Sequence, residues 1–174
     1  MMRRRRFLGA LLATFLAVAM PVASFPGGAS ADGGPSEERK TPGRAEDPDY
    51  AAAVKAIKAS EFPTAIRLLE GVVARDGRSA DAYNWLAYAT RRNGNPAAAI
   101  SIYQKALAID PKHRGAHEYI GEAYLALDDL ARAKEHLARL SSLCFFPCEE
   151  YSDLKRAVEA YEKSGGSVKP AAAR

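Results

Sequence analysis

Residues 80–113 read ADAYNWLAYATRRNGNPAAAISIYQKALAIDPKH. Two apolar-periodic stretches flank Asn93-Gly94-Asn95, with Pro96 opening the second stretch and Asp110-Pro111 following it. Gly just past a periodic run stops a helix, and Pro at a first helical position starts one. The segment therefore predicts helices over Ala80–Arg92 and Pro96–Ile109. Displacing the chain on itself by 34 residues reproduces the pattern on both sides. Ala53, Ala87 and Gly121 coincide as small residues, and Ala65, Ala99 and Ala133 are identical. Leu69, Tyr103 and Leu137 coincide as large apolar residues, as do the apolar sets Ala52, Leu86, Ile120 and Val72, Ala106, Leu140. Small side chains suit the point where two helices of a unit cross, because a larger group there pushes the axes apart. Such a period marks an array of helix–turn–helix units, each burying its apolar face against the next.

Outward from this unit the same signals recur. Asp47 can cap a helix with Pro48 at its first position, running to about Ser60, and Pro63 opens the next, to about Arg75. His113–Leu127 and Leu130–Leu143 form a third pair. A seventh helix spans Glu149–Lys163, with Tyr151, Leu154, Val158 and Tyr161 on one stripe. Glu149 and Glu150 suit its N-terminus and Lys163 its C-terminus. This helix is expected to cover the open apolar face of the last unit, giving an array that folds as a monomer.

The middle unit resembles the tetratricopeptide repeat (TPR) family. Tyr83, Leu86, Ala87, Ala99, Tyr103, Ala106 and Pro111 stand at the family's fixed places, while Thr90 replaces a Tyr. The third unit matches through Ile120, Gly121, Tyr124, Ala133 and Leu137, with His117 in an aromatic's place and Phe145 where a proline is usual. The first is degenerate, keeping Ala53, Ala65, Leu69 and Val72. The resemblance covers residues 46–145. It implies an all-α, right-handed superhelix of three helix-turn-helix repeats (46–79, 80–113 and 114–147), with a C-terminal capping helix over 148–164.

In that family the first helix of each repeat lines a concave groove that binds proteins or peptides. By resemblance the lining positions are Tyr50, Val54 and Ile57, then Asn84, Tyr88 and Arg91, then Glu118, Glu122 and Leu125. Aromatic rings with an amide and charged groups suit an extended or helical peptide. The carboxylate clamp of chaperone-binding relatives needs basic residues where Gly115 and Glu118 stand, so that device is not expected. Trp85 falls between a lining and a packing position and is expected to pack between helices.

The N-terminus reads as an address. Arg3–Arg6, the uncharged apolar run Phe7–Met20 and Ala29-Ser30-Ala31 are the parts of a secretory signal peptide over 1–31. Arg4-Arg5-Arg6-Phe7-Leu8 also resembles a twin-arginine export signal, and the general secretory route stays open. An uncleaved anchor is the rival reading, since Phe7–Phe25 is 19 uncharged residues. Export predicts a periplasmic or secreted protein, touching membrane only during export or through such an anchor. Residues 32–45 and 165–174, rich in Gly, Pro and mixed charge, predict a disordered linker and tail. The net charge of +4 comes from 25 basic and 21 acidic residues, and four of the basic ones are Arg3–Arg6. From Asp32 onward the chain is formally neutral, so composition gives no ground for nucleic-acid binding.

Cys144-Phe145-Phe146-Pro147-Cys148 holds both cysteines. In an exported protein a disulfide is the default, with a redox-active or thiol-sensing pair and a metal site as the other readings. Cys148-Glu149-Glu150-Tyr151 resembles a segment of exported bacterial TPR proteins, which supplies no activity of its own. His113 and His117 stand at metal-ligand spacing, but His117 replaces a packing aromatic and reads better as a core histidine; His136 adds little. No nucleophile motif or phosphate loop appears. The expectation is a non-enzymatic scaffold without cofactor or metal that binds a protein or peptide partner and assists an envelope complex. The alternative is a thiol-redox or metal-handling protein acting through Cys144 and Cys148.

Overall fold

A computed structural model describes residues 47–166. The expected signal peptide, the linker and residues 167–174 of the tail lie outside them. The described residues form seven helices: α1 (Pro48–Lys58), α2 (Phe62–Arg75), α3 (Ala80–Arg92), α4 (Pro96–Ile109), α5 (Arg114–Leu125), α6 (Leu130–Leu143) and α7 (Glu149–Lys163). No strand occurs among them. The first helix of the third pair is shorter than its apolar pattern suggests. His113 stays outside as the cap, its Nδ1 accepting from the Ala116 amide, and the chain turns after Leu125.

Each first helix ends the same way. Ser60, Gly94 and Asp128 adopt positive φ at 59°, 91° and 60°, and the register between them is the repeat length. The amide after each reaches back five residues, from Glu61 to Ala56, Asn95 to Thr90 and Asp129 to Tyr124. These are Schellman-type ends, which satisfy carbonyls the helix leaves open. The next residue then starts the second helix: Asn95 and Asp129 accept from the amides of Ala98 and Arg132. Glu61 makes no such bond, one local sign of the first repeat's degeneracy. The same device closes α7, where Gly165 and Gly166 donate to the carbonyls of Glu162 and Tyr161. Two residues of the expected tail thus belong to the helix end.

Packing follows the small residues. Ala53, Ala65, Ala87, Ala99 and Ala133 are wholly buried, letting helices approach, while Leu69, Tyr103 and Leu140 fill the spaces between them. Trp85 is buried in the same core. Burying a side chain the size of Leu69 or Leu140 contributes about 1.5–3 kcal/mol. Successive first helices touch, α1 with α3 and α3 with α5, whereas α2, α4 and α6 do not touch one another. The first helices are therefore the inner layer. Leu154 of α7 occupies the space a side chain at position 121 would need, within 2.6 Å of a Cβ built on Gly121. Tyr161 of the same helix donates to Asp128 at 3.1 Å. A Cys144–Cys148 disulfide, with Cα atoms 5.8 Å apart, closes the loop between α6 and α7. Among the described residues no helix is long and apolar enough to cross a membrane.

Candidate functional site

The nine lining positions form a grid. Tyr50, Asn84 and Glu118 stand one repeat apart, as do Val54, Tyr88, Glu122 and Ile57, Arg91, Leu125. Along each helix they recur at i, i+4 and i+7, so they share one face of α1, α3 and α5. That face belongs to the inner layer. Ile57, Tyr88 and Leu125 are buried, and Tyr50, Val54, Arg91 and Glu122 are half-buried.

Arg91 ties the middle of the grid together. Its Nη2 lies 2.7 Å from Glu122 Oε2, and its guanidinium stands 5.5 Å from the Tyr88 ring centroid and 5.7 Å from that of Tyr119. Burial opposes its charge, but Glu122, together with the hydroxyls of Tyr103 and Tyr88, more than offsets this and holds the proton on firmly. The rings beneath it form an edge-to-face series. Trp85 and Tyr88 are 6.0 Å apart, and Tyr88 and Tyr119 are 5.1 Å apart. Tyr88 Oη accepts from Arg92 Nη1 at 2.8 Å. Tyr119 is absent from the lining set read from the sequence, because its position falls beside the lining residue Glu118; its size and place next to the repeat's packing residue Ile120 were the available signal.

Two polar side chains of the grid, Asn84 and Glu118, are buried. Asn84 is 3% exposed, and its Oδ1 has no hydrogen-bond partner among the described residues. Glu118 is 6% exposed. Burial first, then the carboxylates of Glu122, Asp153 and Glu150, push its carboxyl up to about 9, so it is protonated at neutral pH. The neighbouring carboxylates have cations of their own: Glu150 meets Arg114 at 3.4 Å and Asp153 meets Arg156 at 3.0 Å.

The histidines are arranged differently from their sequence reading. His117 is buried as expected, but His136 is its partner, with the two Nδ1 atoms 2.9 Å apart. His117 Nε2 also lies 3.1 Å from the Pro111 carbonyl, which can only accept. In the neutral ring His117 Nδ1 then accepts, and His136 Nδ1 carries the donated proton. His136 stacks on Tyr124 at 5.7 Å. His113 does not join them; its Nε2 lies 3.0 Å from Asp81 in the first turn of α3. Among the described residues no group of three His, Cys, Asp or Glu side chains could hold a metal ion.

Two sequence models, each described as "Tetratricopeptide repeat", match residues 50–114 and 90–158. Over the span they cover together, the chain belongs to the tetratricopeptide repeat family. A relative, "Tetratricopeptide repeat protein 1" of Schizosaccharomyces pombe, is 35% identical over 86 residues, 46% of this chain. The match spans only 8% of that relative's length. Among solved structures, the first TPR of Spaghetti (RPAP3) bound to the HSP90 peptide SRMEEVD aligns with TM-score 0.59 at 23% identity, covering 66% of this chain and 90% of that one. The Yersinia enterocolitica type III secretion chaperone SycD, in complex with a peptide of the translocator YopD, aligns with TM-score 0.58 at 18% identity, covering 67% and 88%. At these identities the likeness shows the fold.

Proposed function

We propose that this chain is an exported TPR scaffold whose concave face holds a protein or peptide partner, and that it assists assembly of a complex in the bacterial envelope. The observation that carries the binding reading is Asn84. A buried amide oxygen without a partner weakens a fold and is rarely kept without a use. An incoming backbone N–H is the group it lacks. Asn84 is the first lining position on the middle helix of the grid, flanked by Tyr50 and Glu118, with Tyr88 one turn on. Two proteins of this fold, the Spaghetti and SycD domains, hold peptides, which supports the same use here. Export rests on Arg3–Arg6, the apolar run after them and Ala29-Ser30-Ala31.

The test is affinity capture from an envelope extract, followed by measurement of the affinity of each identified partner for wild type and Asn84→Ala. The reading expects Asn84→Ala to weaken the partner about tenfold or more with thermal stability unchanged or raised. A partner that binds both proteins equally would contradict it.

A further inference from the structure

We propose that the groove selects a partner segment bearing a lysine or arginine, whose cation seats against Glu118 where α5 meets α7. This rests on the groove reading and names the chemistry of its ligand.

Glu118 has no hydrogen-bond or ion-pair partner among the described residues. The charged groups that act on it most strongly lie on its own helix and on the elements packed around it. Glu122 lies one turn on along α5, and Glu150 and Asp153 belong to α7. Arg91 of α3 is the cation that acts on it most strongly, and that guanidinium is bonded to Glu122. Arg114 and Arg156 are likewise engaged, with Glu150 and Asp153. Each of the three neighbouring carboxylates therefore has its cation, and Glu118 alone does not.

Asn84 is the independent observation. It holds the equivalent position one repeat earlier, and it too is buried with an acceptor oxygen unmet. Two successive first helices thus present buried polar groups at the same register, the Asn84 oxygen an acceptor as it stands and Glu118 an acceptor-only carboxylate once its proton leaves. Acceptors in a row call for donors in a row: a backbone N–H at Asn84 and, at Glu118, a donor strong enough to ionise a buried carboxyl. An ammonium or guanidinium supplies both the hydrogen bond and the charge. An acidic segment would add a fifth carboxylate to this end of the groove, and an apolar one would leave Glu118 as it is.

The exchange balances simply. The carboxyl proton of Glu118 leaves to the buffer, and the carboxylate pairs with the incoming cation. Binding at neutral pH therefore releases up to one proton and tightens as pH rises toward that group's titration near 9.

The experiment is selection from a random twelve-residue peptide library by the chain at pH 7. Calorimetry of a selected synthetic peptide follows, in two buffers of different ionisation heat. The expected peptides share a Lys or Arg at one position. Replacing that residue by Gln, or Glu118→Gln in the protein, should weaken binding on the order of tenfold. Wild type should release nearly one proton and Glu118→Gln none, the variant keeping the thermal stability of a neutral isostere. Selected peptides without a basic residue, or basic peptides that bind Glu118→Gln equally, overturn the proposal. If such peptides still weaken with Asn84→Ala, the groove reading survives; if they are indifferent to both variants, both readings fail. A folded chain that enriches no peptide also counts against it.

Discussion

Arg91 Nη2 and Glu122 Oε2 meet at 2.7 Å, joining α3 to α5 across the inner face. The pair is mostly sequestered, with side chains 17% and 27% exposed. Removing one member of such a pair leaves a charge without its partner. Arg91→Met should therefore destabilise the fold by about 2 kcal/mol, since it leaves Glu122 beside Glu118 uncompensated. Arg91→Met with Glu122→Met should recover most of that loss. Urea unfolding of the two variants and wild type measures both effects.

Ser60 and Gly94 occupy equivalent places in successive repeats, and both are left-handed. Only Gly adopts that conformation without a Cβ penalty, which for other residues is about 1–2 kcal/mol. Ser60→Gly should stabilise the protein by about 1 kcal/mol, raising the melting temperature by about 4 °C. A melting curve decides it. Asp128 has the same strain but accepts from Tyr161, so Asp128→Gly should gain less.

Gly121→Ala acts in the opposite direction. The new methyl would meet both δ-carbons of the fully buried Leu154, at 2.7 and 2.6 Å. Overpacking of this kind costs about 1–3 kcal/mol. The strain falls on the seam between α5 and α7, so α7 should become the first site of proteolytic cleavage. Limited proteolysis with mass mapping reads this directly, and Leu154→Ala should partly relieve it.

Much of the fold is legible in Ala80–His113. Asn-Gly-Asn, Pro96 and Asp110-Pro111 are local signals, and α3 and α4 obey them to the residue. Local chemistry also placed α6 and α7, whose ends carry caps or turn residues. The pairings within the inner face were not legible, because a 34-residue period aligns positions without saying which side chains lean toward one another. Hence Arg91 and Glu122 each appear as lining residues, but their bond does not. His136 was passed over for a related reason. It lies on a second helix facing the third repeat's first, and only the crossing of those helices brings its ring to His117. The isolation of Glu118 is a property of all its neighbours together, including two on α7 that lie outside the repeat.

The histidine pair and Glu118 give the stability curve two opposite slopes. Burial, then His117, pulls His136 down to about 4, and burial likewise lowers His117. Both are neutral when folded and take up protons when unfolded below about 6.5. Stability should therefore fall as pH drops from about 6.5 toward 4. Glu118 has its carboxyl raised, so its contribution is complete below the ordinary carboxylate range and fades as pH climbs toward about 9. Each group contributes a slope of at most about 1.4 kcal/mol per pH unit. Urea unfolding across this range should show both arms, with Glu118→Gln flattening the alkaline one and His117→Phe with His136→Leu the acidic one.

The central claim is that partners bind the inner face of α1, α3 and α5. Photo-crosslinking tests it most directly, with a benzophenone side chain placed at Tyr50 or Val54 on that face, or at Arg67, exposed on α2 of the outer layer. The partner recovered by affinity capture should crosslink at positions 50 and 54 and not at 67. Crosslinks at 67 with none at 50 or 54 would contradict the account.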